Sequence, residues 1–137
     1  MFLNKATFNE SLNGWNVSAA TNMYGVFFGC NSFNGDVTSW KVAKVTTMDY
    51  MFSYACAFDQ SIGNWDVSEV TSMYTMFKGA TSFNKNLNNW DVGKVTDMSG
   101  GMFSKATSFN ENVNSWDVSK VTTMMSMFCQ QQASIKI

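Results

Sequence analysis

Oxygen-bearing side chains recur along this chain at a fixed step, and three such columns could do chemistry. Asp66, Asp91 and Asp117 stand 25 and 26 residues apart, with Asn16 and Lys41 at the equivalent places upstream. Stacked carboxylates could hold calcium, but that ion wants about six to eight oxygens converging on one point. Lys41 also brings a cation into the column, so turn capping is the expected role. Asn9, Asn34, Asn84 and Asn110, with Asp59 in the gap, form a second column. It could serve as a polar ligand ladder. The stronger reading has each side chain bonding a turn's backbone and the neighbouring Asn. Thr21, Thr46, Thr71, Thr96 and Thr122 complete a third column. A flat threonine array can order water as ice does, which keeps ice binding as a remote alternative. Here the adjacent column (Asn22, Thr47, Ser72, Asp97, Thr123) is mixed and bulky Met residues stand close by, so helix capping is expected instead.

Catalysis lacks its usual parts. The chain contains no His, and neither a nucleophile motif nor a Gly-rich phosphate loop is present. It reads as a non-enzyme with no cofactor. Cys30, Cys56 and Cys129 have no metal-ligand spacing, and an odd count rules out a complete internal disulfide framework. They read first as small apolar fillers, with one bonded pair, or Cys129 meeting another chain, as the alternatives.

These columns need elements to position them. With 137 residues, 45% hydrophobic and 14% charged, the chain suits one ordered domain. Its net charge of −1, without a basic stripe, argues against nucleic acid. No apolar run approaches the roughly 20 residues of a transmembrane helix. The opening "MFLNKATFNE" lacks the profile of a signal peptide.

The organisation is an internal repeat. Trp15, Trp40, Trp65, Trp90 and Trp116 are spaced by 25, 25, 25 and 26 residues. Phe8, Phe33, Phe58, Phe83 and Phe109 keep the same step, as do Phe2, Phe27, Phe52, Phe77, Phe103 and Phe128. The one extra residue falls in "SGGMF", at Gly100 or Gly101. Within a unit, Val70, Met73, Met76, Phe77 and Ala80 are spaced by three and four, which predicts one face of a short helix. Ser68 or Thr71 would be its N-cap and Gly79 its end. The stretch "SFNKNLNNWDV", with anchors Phe83, Leu87, Trp90 and Val92, predicts a short strand between tight turns. The expected architecture is therefore an α/β repeat solenoid, with five units and an incomplete sixth stacked in register. A single repeat domain would cover 1–129 and a non-repeat tail 130–137.

The unit "MFKGATSFNKNLNNWDVGKVTDM", Met76–Met98, resembles the BspA-like branch of leucine-rich repeats. It is similar in particular to the "MFxxAxxFNxxLxxWDVSxVTxM" repeats of bacterial and protist surface proteins, and the likeness runs through essentially all of 1–129. The resemblance implies a right-handed α/β solenoid, a cell-surface location and, among some relatives, adhesion to host matrix proteins. It brings no catalytic residues with it.

Where the copies disagree, aromatic residues collect. Tyr24 and Phe28, then Tyr50 and Tyr54, are pairs four apart that should share a helix face, and Tyr74 and Lys78 continue the row. Aromatic residues outside a core are enriched in recognition surfaces, so these six are candidate partner-binding residues. The ends are a second candidate. Repeat arrays need polar caps, yet the chain starts in repeat at Met1 and Phe2 and ends it at Met127, Phe128 and Cys129. Further repeats or a partner are expected to cover them. Two functions follow: an adhesive or ligand-binding surface module that engages a protein partner, or a scaffold or linker subunit packed within a larger complex, whether or not that complex is membrane-associated. The sequons at Asn9 and Asn16 are compatible with secretion.

Overall fold

The computed structural model describes residues 2–130. Residues Met48 to Val70 show how one unit folds. Met51, Ser53, Ala55 and Phe58 each donate their N–H to the carbonyl three residues back, at 3.0–3.1 Å, so the chain advances as a run of tight turns. The amides in between point out of the layer: those of Met48, Tyr50, Phe52 and Tyr54 reach the carbonyls of Ser72, Tyr74, Met76 and Lys78 at 2.7–3.1 Å. This alternation puts Tyr50 (φ 58°) and Tyr54 (φ 59°) in the left-handed region. Both occupy the third position of a turn, where a type II turn has positive φ.

The same pattern repeats in every layer. Met23, Gly25, Phe27 and Gly29 donate to Thr47, Asp49, Met51 and Ser53, each 24 residues ahead. In the third layer Thr75 still reaches Ser99, whereas Phe77 reaches Met102, one residue further. The extra residue is thus taken up at Gly100 (φ 67°) and Gly101 (φ 76°), two adjacent left-handed positions.

The expected α/β architecture is corrected by this pattern: the described residues contain no helix, and the only β-structure is a set of isolated parallel bridges. Successive phenylalanines of the Phe2–Phe128 column stack at 5.3–5.7 Å, while packed helices need about 8–10 Å between axes. A helix also spends its amides within itself, whereas here alternate amides tie each layer to the next. Apolar spacings of three and four fit both arrangements. Gly79 accordingly ends no helix, and Thr71 caps none.

The predicted strand over "SFNKNLNNWDV" is absent as well, because side chains replace most of its backbone ladder. Asn84 N–H donates to Asp59 Oδ1 at 2.9 Å, and Trp90 Nε1 donates to the Ile62 carbonyl at 3.0 Å. The parallel bridges lie at the next corner, joining Asn22, Thr47, Ser72, Asp97 and Thr123.

Two phenylalanines per layer form the core. Phe52 and Phe58 stack at 3.8 Å, and Phe27–Phe33, Phe77–Phe83 and Phe103–Phe109 repeat the pair at 3.9–4.4 Å. All eight rings are fully buried, with Met48, Met73, Met98, Val45, Val70 and Val95 beside them. No helix among the described residues is long and apolar enough to cross a membrane.

Candidate partner-binding face

Two of the three polar columns are committed to joining layers. In the Asn column each side-chain oxygen accepts the N–H of its successor: Asn9 from Asn34, Asn34 from Asp59, Asp59 from Asn84 and Asn84 from Asn110, at 2.7–2.9 Å. In the Thr column both N–H and hydroxyl of Thr46 donate to the Thr21 carbonyl, at 2.8 and 3.2 Å. Thr71, Thr96 and Thr122 do the same to the threonine one layer before. The Asp column turns on itself. Asp66 Oδ1 accepts the N–H and hydroxyl of Ser68, and Asp91 and Asp117 accept the N–H of Gly93 and Ser119. The Ser68 hydroxyl, then its N–H, holds the Asp66 carboxyl below the usual range; Ser119 acts likewise on Asp117. Among the described residues no group of three or more His, Cys, Asp or Glu is placed to hold a metal ion.

The turn face of layers one to three differs. Tyr24 and Tyr50 meet at 5.3 Å, Tyr50 and Tyr74 at 5.2 Å, and Phe28 lies edge-on to Tyr50 at 5.9 Å and to Tyr54 at 6.0 Å. These contacts run between layers, not along one helix face, because Tyr50 and Tyr54 occupy left-handed positions offset from Tyr24 and Phe28. Tyr24 is 49% and Tyr54 39% exposed, while Phe28, Tyr50, Tyr74 and Lys78 are half-buried. The Tyr50 hydroxyl is pushed up to about 12 by burial first, then by its hydrogen bond with Tyr74.

Glycines in the following layer make room for the rings. A Cβ on Gly79 would lie 2.7 Å from the Tyr54 ring, and one on Gly100 would lie 2.5 Å from the Tyr74 ring. Two depressions flank the tyrosines. One of about 340 Å³ is apolar, lined by Leu3, Tyr24, Gly25, Phe28 and Tyr50. The other, about 400 Å³, lies against Tyr54 and Tyr74 and carries Lys78, Lys105 and Ser104.

Leu3 and Lys105 were not singled out by the sequence. Lys105 has φ 60° and stands in the same column as Gly29, Tyr54 and Gly79, so tracking that column would have found it.

The end residues are spread differently. Trp15 is 55% exposed where Trp40 is 4%, because in later layers the indole N–H reaches back to a carbonyl such as that of Leu12. Phe2 stacks on Phe8 and Phe27. Met127 is buried, Phe128 stacks on Phe103 at 5.7 Å, and Cys129 is exposed. Met1 and most of the expected tail, 131–137, lie outside the described residues.

A family model described as "Mycoplasma protein of unknown function, DUF285" matches residues 1–80 and 36–136. No curated protein and no solved structure matches the chain.

Proposed function

For this chain, which belongs to the DUF285 family, we propose a role as a non-enzymatic protein-interaction module, exposed at the cell surface and adhesive toward a partner protein. The finer kinship with BspA-like surface repeats is part of that proposal. One observation carries it: aromatic side chains gather on the face of layers one to three, where neither core nor layer-joining bonds require them. Tyr24 and Tyr54 keep two large rings in solvent, and exposed tyrosines of this kind anchor interfaces. A catalytic reading gains no support, since the repeated Asn, Thr and Asp side chains are engaged in joining and turning layers.

A second reading is a scaffold packed inside a larger assembly. Trp15 and Leu3, apolar and about half-exposed in the layer that precedes layer one, favour it.

Binding of the purified chain to a panel of immobilised host extracellular-matrix proteins tests the first reading. At least one should bind, and a Tyr24→Ala/Tyr54→Ala variant with an unchanged unfolding midpoint should lose most of that affinity. No binding by the wild type, or equal binding by the variant, would overturn the adhesive module.

A further inference from the structure

The two depressions beside the tyrosines differ in chemistry, and the difference specifies an occupant. The first has no charged side chain: Leu3, Tyr24, Phe28 and Tyr50 surround it, and Gly25 leaves its floor low. The second has two ammonium groups, Lys78 and Lys105, and no carboxylate among its lining residues. Elsewhere Lys85 pairs with Asp59 at 2.7 Å and Lys94 with Glu69 at 2.6 Å. Lys78 and Lys105 have no such counter-charge among the described residues. Ser104 adds a hydroxyl to the basic side. Tyr50, which lines the first, and Tyr74, which lines the second, meet at 5.2 Å between ring centroids.

We propose that the two depressions together form a tyrosine-walled channel that takes an extended, acidic segment of a partner protein. One bulky apolar side chain of that segment seats among Leu3, Tyr24, Phe28 and Tyr50, and a carboxylate seats beside Lys78 and Lys105. The inference rests on reading this face as partner-binding and adds the chemistry of the partner. Charge complementarity selects an acidic segment, because two unpaired cations in a half-enclosed groove disfavour a basic one. Geometry fixes the spacing. The depressions are two to three layers apart, roughly 10–15 Å at about 4.8 Å per layer, which an extended chain covers in about three to four residues. The segment therefore carries its carboxylate three to four positions from its apolar anchor.

Selection from a phage-displayed library of random heptapeptides tests this directly. Enriched peptides should carry Phe, Leu, Trp or Tyr followed or preceded, three to four positions away, by Asp or Glu. Against a Lys78→Glu/Lys105→Glu variant their affinity should fall about tenfold or more. Peptides with the acidic residues changed to Lys should recover binding to that variant, a reciprocal effect that misfolding cannot produce. Enrichment without acidic residues, or affinity unmoved by charge reversal, overturns the inference and leaves the aromatic face as a binding site of other chemistry. If hyaluronate binds in a Lys78- and Lys105-dependent way and no peptide is enriched, the occupant is an acidic glycan and the inference fails. If neither ligand binds while a matrix protein does, the inference fails and the adhesive reading stands.

Discussion

Two columns of the same stack treat side-chain identity in opposite ways. Position 27 and its counterparts at 52, 77 and 103 are Phe without exception, and every ring is fully buried. Two residues earlier in the chain, Gly25, Tyr50, Thr75, Gly101 and Ser126 share only a positive φ of 55–76°. The first column needs a particular shape; the second needs a particular backbone. Where the fold demands a side chain, the sequence repeats it. Where the fold demands only a dihedral, the residue is free to differ, and the Tyr-rich face stands on that freedom.

The largest effect should come from the invariant column. Phe77→Ala removes a ring stacked on Phe52, Phe83 and Phe103, and should cost about 3–5 kcal/mol in urea unfolding. A cost no greater than that of Tyr54→Ala would break the contrast between the two columns. Trp90→Phe keeps the bulk but deletes the donor to the buried Ile62 carbonyl, and should cost about 1–3 kcal/mol in the same assay.

Gly79→Ala sharpens the comparison from the other side. It forces a Cβ to within 2.7 Å of the Tyr54 ring at φ 70°, so the loss should exceed about 1 kcal/mol. In a Tyr54→Ala background the steric part should vanish and only the dihedral cost remain. Tyr50→Gly should change stability by less than about 1 kcal/mol in either direction, since lost ring contacts offset relief of a left-handed tyrosine.

The smallest effect is in acid. The carboxyls of Asp66 and Asp117 sit below their ordinary value in the folded chain. A lowered folded value means their contribution is fully present above the unfolded aspartate value of about 3.9. It is lost as pH falls below that, through the folded value. Asp66→Asn/Asp117→Asn should therefore flatten the acid limb of a stability-against-pH curve, with stability slightly lowered near neutrality and converging on the wild type in acid. Asn16 already makes this turn with a neutral side chain, accepting the N–H and hydroxyl of Ser18 at 3.1 and 2.7 Å. An acid limb as steep as that of the wild type would show that these turns do not sense charge.

Much of this is legible in the sequence. The period, the Phe and Trp columns and the reach of the Asn column follow from side-chain types recurring at one step. The sequence points to a helix because Met73, Met76, Phe77 and Ala80 keep one buried side under two different backbones. The distinguishing sign was the glycine placement. Gly25 and Gly29 recur four apart inside the apolar run, as do Gly79 and the left-handed position at 75, and a helix interior disfavours Gly by about 1 kcal/mol each. Tyr50 and Tyr54 hid that sign in the second layer by adopting the glycine conformation themselves. The threonines mislead for a related reason. A hydroxyl suited to capping a helix is equally suited to sharing a neighbour's carbonyl, and only the stacking decides between them.

The 24-residue reach of the turn amides has a further consequence: the stack is a ruler with one graduation per unit. Removing or adding a whole unit between Tyr50 and Lys105 would move the apolar and basic depressions relative to one another by one graduation, about 4.8 Å, with no intermediate setting. The spacing of side chains along that face is therefore adjustable by gain or loss of entire repeats, and point substitution alters only what is written at each mark.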